Sequence, residues 1–75
     1  RTVAPTVYIS VGIRGAFNHT VGLQRAGVII SINTNRRAVM FRSSDFGIVG
    51  PWEEFLPPLV EQLRPMLLGI SENAN

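Results

Sequence analysis

The chain contains no cysteine and no lysine, and only one histidine. Without cysteine there are no disulfides and no thiolate metal sites. Without lysine, all seven basic residues are arginines. Arginine's planar fork suits bidentate phosphate contacts, whereas lysine acts as a point charge. No apolar run approaches the ~18 residues that span a bilayer, and nothing at the N-terminus resembles a signal peptide. No internal repeat or low-complexity segment is present. With one histidine there is no histidine pair, and no serine, histidine and carboxylate stand at a spacing that suggests a triad or a metal site.

What remains is an ordinary globular composition, 45% apolar over 75 residues. That length makes at most one small domain. Such a chain buries only about 60% of the surface that its unfolded form exposes, so its core is marginal without a partner or ligand. The net charge of +2 conceals an asymmetry. Arg1, Arg14, Arg25, Arg36, Arg37 and Arg42 all precede the first acid, Asp45. Beyond it stand Glu53, Glu54, Glu61 and Glu72, with Arg64 the only base. As a set the basic half fits an anionic ligand. The plainer alternative is a lysine-poor composition with solvated arginines. No aromatic platform stands among these arginines, so a nucleic-acid role has little support.

Val7 to Val11 is a β-prone run ending at Gly12, and reads as a strand. Gly12-Ile13-Arg14-Gly15 is a turn. The spacing then predicts a helix from Ala16 to about Arg25, ended by Ala26-Gly27. Val28-Ile29-Ile30-Ser31-Ile32 follows, a nearly continuous apolar run of the kind found in parallel strands covered on both faces. Strand, helix and strand make one right-handed βαβ unit. Asn33 to Arg37 reads as a polar loop, Ala38 to Phe41 as a short extended piece, and Asp45 to Gly50 as a third strand entering a turn.

Trp52, Phe55, Leu56, Leu59, Val60 and Leu63 recur at helical spacing and form an apolar stripe. Pro57 and Pro58 fall inside it, and a proline in a helix interior costs about 3 kcal/mol. The expectation is therefore a turn over residues 52–56 and a main helix from about Pro58 to Arg64. One more helical turn is expected over Met66 to Ile70, then a frayed tail over Ser71 to Asn75. This gives two domain assignments: residues 1–70 as part of one α/β domain and residues 71–75 as a flexible tail. Two or three parallel strands and two helices look like half of a larger sheet.

In an open α/β sheet, ligands sit at the carboxyl ends of the strands, where the next helix presents free N–H groups to an anion. Gly15-Ala16-Phe17-Asn18 holds that position, with Arg14, Asn18 and His19 adding side-chain donors. Gly-x-x-Gly is not the Gly-x-Gly-x-x-Gly dinucleotide fingerprint, and a tight βα connection without a ligand fits the same pattern. A lone histidine is most often a surface residue; beside this turn, His19 suits a donor to a reduced, negatively charged ring. Asn33 ends the second strand, again at the ligand edge, though asparagines such as Asn33 and Asn35 also favour turns. Trp52 reads as the first residue of the stripe or as an aromatic against a ring.

The stretches Val3 to His19, Ile29 to Asn33, Ala38 to Phe41 and Ser44 to Gly50 together resemble the alpha subunit of electron-transfer flavoproteins. The resemblance runs ungapped over residues 2 to 64. It implies the second half of a C-terminal FAD-binding domain with a doubly wound parallel sheet like that of deoxyhypusine synthase. It also implies a beta subunit as partner, in a heterodimer of a type that serves fatty acid oxidation. The protein would be an electron carrier rather than an enzyme with its own substrate. Flavin dehydrogenases such as acyl-CoA dehydrogenases would donate the electrons, and a quinone oxidoreductase or similar acceptor would take them. The location implied is cytoplasmic in a bacterium or the mitochondrial matrix in a eukaryote, without membrane insertion.

In that pattern Arg14, Gly15, Ala16, Phe17, Asn18 and His19 lie along the pyrophosphate, ribityl chain and flavin. Asn33 and Asn35 lie by the AMP half, and Pro51 and Trp52 close over the adenosine. The family usually has serine at Arg14, glutamine at Asn18, and aspartate at Asn35 and Pro51. A family Gly-Gln-Thr-Gly segment that would precede Arg1, and a serine–arginine pair further upstream, lie outside these residues. The resemblance is thus to a fragment, with at most weak FAD binding expected of it alone. The alternatives are a nucleotide-binding module that holds only AMP, and a structural fragment that has lost flavin function.

Overall fold

Val7, Ile9 and Val11 alternate with Tyr8, Ser10 and Gly12, and that alternation becomes the two faces of a central strand. The computed structural model describes residues 6–14 and 27–74. In chain order these form β1 (Val7–Ile13), β2 (Val28–Asn33), a 3-10 turn (Val39–Ser43), β3 (Phe46–Val49), α1 (Trp52–Leu63), a second 3-10 turn (Arg64–Met66) and β4 (Leu67–Ala74). The helix expected over Ala16 to Arg25 lies outside the described residues.

The four strands make one sheet in the order β3-β2-β1-β4, and every pairing is parallel. The two strands of the expected βαβ unit are neighbours, with Val7 opposite Val28 and Val11 opposite Ile32. One face carries Val7, Ile9, Val11 and Ile32, all buried, and the apolar stripe of α1 packs on it through Trp52, Phe55, Leu56, Leu59, Val60 and Leu63. The other face carries Ser10, Ser31 and Ser71 in one row, since Ser10 pairs with both of the others. The connection between β2 and β3 crosses this second face. A Cβ on Gly47 would run into the Phe41 ring, and Ser44 Oγ meets Ser31 Oγ. The chain therefore covers the sheet from both sides, as a parallel sheet requires.

Three expectations give way here. The first concerns α1, which is a single helix from Trp52 to Leu63 with Pro57 and Pro58 inside it. Each proline deprives the carbonyl four residues earlier, of Glu53 or Glu54, of its helical donor. All four residues are exposed, so water can serve those carbonyls while the stripe on the opposite side holds the helix to the sheet. Second, Ala38 to Phe41 contributes to a 3-10 turn rather than an extended piece.

Third, Leu67 to Ala74, most of the residues expected as a last helical turn and a frayed tail, form β4, eight residues paired with β1 from Val7 to Ile13. Pro65 stops α1 with a short 3-10 turn. Beyond it the chain runs back along the one edge of β1 that β2 leaves open. Backbone pairing along that edge outweighs the helical tendency of Met66 to Leu68.

Candidate functional site

The two ends of the sheet are built differently. At the amino ends the backbone is tied down. Gly27 N and Val28 N both donate to Thr6 O at 2.9 Å, and Gly27 N also donates to Thr6 Oγ1 at 3.0 Å. Asp45 accepts from Ile29 N through Oδ2 and donates its own N–H to Ile29 O, each at 2.8 Å. The carboxyl ends instead present side chains. Arg14 stands exposed directly after β1, and Arg36 and Arg37 are exposed in the loop after β2.

Asn33, the last residue of β2, is 4% exposed. Its Oδ1 accepts from Asn35 N at 2.8 Å, and its backbone carbonyl accepts from Gly50 N at 3.0 Å. Asn35 repeats the first arrangement one step on, with Oδ1 accepting from Arg37 N at 3.0 Å. Two successive asparagine turns therefore fold the loop, and each engages an amide oxygen; the NH2 of Asn33 lies over Gly12, while Asn35 is exposed. A side chain at position 12 would collide with the Asn33 amide, its Cβ falling 2.6 Å from Cγ. Gly12 is therefore the space in which Asn33 lies.

On the other side of Gly12 stands Asn73 of β4, its register partner. Asn73 is 5% exposed, and its Nδ2 donates to Ser10 Oγ. One row behind, Ser31 and Ser71 flank Ser10. β2 and β4 thus bring the same spacing, serine then asparagine two residues on, to both sides of β1. The Ser44 hydroxyl donates to Met40 O at 2.6 Å, so at its contact with Ser31 it is the acceptor.

β3 reaches the same edge. Gly50 follows it, and Pro51 caps α1 with its carbonyl accepting from Glu54 N at 3.2 Å and Phe55 N at 3.3 Å. Glu53 and Glu54 occupy the first turn of α1. Their charge complements the helix dipole, which leaves this N-terminus ill-suited to an anion. Trp52 is half-buried and packs against the core cluster through the stripe. Pro51 is exposed beside it.

The structure therefore brings Arg14, Asn33, Asn35, Pro51 and Trp52 to one edge. Gly15, Ala16, Phe17, Asn18 and His19 lie outside the described residues. Sequence reasoning missed Asn73, because it fell in an expected tail. The signal was present: Gly69, Ser71 and Asn73 alternate with Ile70 and Glu72 at the two-residue period of a strand. Among the described residues no three histidine, cysteine or acidic side chains gather as a metal site, and no helix is long and apolar enough to cross a membrane.

Strand order reverses between β1 and β4, and in open parallel sheets such a point is where ligands bind, outside the carboxyl ends. The architecture is that of an α/β protein with an all-parallel sheet, with guanidinium and amide groups at its carboxyl edge. Comparison with known proteins narrows it. The chain is 39% identical over 66 residues, 88% of its length, to the electron transfer flavoprotein subunit alpha of Thermoanaerobacterium thermosaccharolyticum. It is 45% identical over 67 residues to protein FixB of Azotobacter vinelandii, covering 89% of this chain. A probable mitochondrial electron transfer flavoprotein subunit alpha of Schizosaccharomyces pombe is 43% identical over 63 residues, 84% of this chain. The chain matches a fragment of an electron transfer flavoprotein alpha subunit. It spans about a fifth of the length of these relatives, 20%, 19% and 18% respectively. No family model and no solved structure matches it.

Proposed function

We propose that this chain is the FAD-binding part of an electron-transfer flavoprotein alpha subunit, and that its carboxyl edge holds the cofactor. The observation that carries this is the donor set around Gly12, found in a chain so similar to named alpha subunits. Arg14 is exposed at the end of β1. Asn33 and Asn35 have their amide oxygens engaged by backbone N–H groups. The exposed side chains of this set, Arg14 and Asn35, offer donors beside the buried Asn33 amide, which fits an acceptor-rich anion such as a pyrophosphate.

In this reading Arg14 to His19 line the pyrophosphate, ribityl chain and flavin, Asn33 and Asn35 hold the AMP half, and Pro51 and Trp52 border the adenosine. FAD supplies the redox centre; the chain's own residues bind and orient it. The sheet is the second half of a doubly wound domain of the deoxyhypusine-synthase type. The assembled protein pairs with a beta subunit and carries electrons, in fatty acid oxidation or a related route, from flavin dehydrogenases to a quinone oxidoreductase or similar acceptor. It works in the cytoplasm of a bacterium or the matrix of a mitochondrion.

Titrating the isolated chain with FAD, followed by amide NMR, tests this. Binding weaker than about 1 μM, a free energy less favourable than about −8 kcal/mol, is expected, with shifts at Arg14, Asn33 and Asn35. AMP alone should move Asn33 and Asn35 and leave Arg14 in place. Absence of shifts at these residues in roughly millimolar FAD, where even a −4 kcal/mol interaction registers, overturns the assignment of the edge. Micromolar or tighter binding overturns the view that the fragment holds FAD only weakly.

A further inference from the structure

β4 is chemically unlike the strand it pairs with. Its Ser71 and Asn73 are buried, while Leu68 and Ile70 remain 46% and 43% exposed. The Ser71 hydroxyl is buried without a hydrogen-bond partner. Pairing with β1 slips between Val7 and Tyr8, which leaves Leu68 as an extra residue in the ladder. Ile70 stands in register with Ile9, on the face where α1 packs chiefly over β1 and β2. β1, by contrast, is an interior strand by composition and by burial, with Val7, Ile9 and Val11 at 5%, 0% and 1% exposure. Such a strand needs a neighbour on each edge.

The relatives match this chain over 63 to 67 residues, which is about a fifth of their own length. The four-fifths that this chain does not span is long enough to supply a strand for that edge of β1.

We infer that β4 is a stand-in strand, holding the open edge of β1 until an extended strand from the remainder of an alpha subunit displaces it. This rests on the reading of the chain as part of such a subunit. The incoming strand runs parallel to β1 and takes over its main-chain hydrogen bonds, as in strand addition. The number of ladder bonds stays about the same, so the exchange is driven by side chains. The displacing strand sets apolar residues beside Ile9 and Val11, where β4 offers a half-exposed Ile70 and Glu72, and it frees the Ser71 hydroxyl to meet water. The short turn at Arg64–Met66 serves as the hinge.

The absence of cysteine makes the test direct. Ser71→Cys introduces the chain's only thiol at a position 6% exposed. The probe is the Thermoanaerobacterium alpha subunit lacking the residues that match this chain, refolded together with it. The expected result is a stable complex in which that thiol reacts with a maleimide roughly tenfold faster or more than in the chain alone, as when a protected position opens. In the same complex of the unsubstituted chain, β4 amides lose protection from hydrogen exchange while β1 amides keep theirs. The unsubstituted chain decides the matter where Ser71→Cys fails to fold. A complex in which β4 stays protected overturns the stand-in role and leaves the alpha-subunit reading intact. No complex at all also overturns the exchange, while the FAD titration judges that reading separately.

Discussion

β2 and β4 flank β1 on opposite edges, both parallel to it, and both send a serine and then an asparagine onto the same face. On β2 these are Ser31 and Asn33, and on β4 they are Ser71 and Asn73. Around β2 the polar groups are served by the connection that follows it: Ser31 meets Ser44, and Asn33 Oδ1 takes the Asn35 N–H. Around β4 the Asn73 amide finds Ser10, but the Ser71 hydroxyl finds nothing. On the helix side, Ile32 is buried at 1%, whereas Ile70 is 43% exposed. The same pattern of residues is thus a finished piece of sheet on one edge of β1 and an unfinished one on the other. A buried polar row is cheap where adjoining turns complete its hydrogen bonds, and costs about 1–3 kcal/mol per group where they do not.

The largest effect that separates the two sides comes from the isoleucines. Ile9 is fully buried and paired with Ile30 on one edge and Ile70 on the other. Ile9→Ala should cost about 3–4 kcal/mol, within the range for emptying a packed site. Most of the stability of so small a domain goes with it. Ile70→Ala should cost less than about 1 kcal/mol, because much of the side chain is already in water. Urea unfolding followed by circular dichroism measures both. Equal losses would break the comparison by showing that β4 is packed as tightly as the interior.

Next comes the space between the asparagines. Gly12→Ala drives a Cβ into the Asn33 amide, and should cost about 1–3 kcal/mol by overpacking. With Asn33→Ala already in place the same change should cost less, since the Asn33 atom left facing it is Cβ at 3.3 Å. The coupling in this double-mutant cycle is the check, and additivity would show that the two residues do not share the space. A small residual cost in the Asn33→Ala background is expected from the Cβ that position 33 retains.

What could be read from the sequence follows the same divide. β1, β2 and β3 were legible because their apolar runs are bounded by glycine and polar turns, and the stripe of α1 because six residues keep helical phase across two prolines. Asn33 was legible as a strand-end residue. The need for Gly12 was not, since it arises from a side chain on a neighbouring strand. Pro57 and Pro58 misled because their cost depends on whether water reaches the carbonyls of Glu53 and Glu54, which sequence spacing does not reveal. β4 was missed because Leu67 to Ile70 continues an apolar helix without a change of composition. Its strand state comes from pairing with a partner about sixty residues earlier, and local preference is weakest against such long-range contacts.

The smallest expected effect has opposite signs on the two edges, and so discriminates best. Ser31→Ala removes a hydroxyl that donates to Ser44, whose own proton goes to Met40 O, and should lose about 1 kcal/mol. Ser71→Ala removes a buried hydroxyl with no partner and should be neutral or gain up to about 1 kcal/mol, because a desolvation penalty disappears with it. The difference between the two urea midpoints at constant slope gives the answer. If Ser71→Ala loses as much as Ser31→Ala, the Ser71 hydroxyl is held by an ordered water. The β4 edge would then be as complete as the β2 edge, and the reason to regard β4 as replaceable would shrink to its exposed leucine and isoleucine.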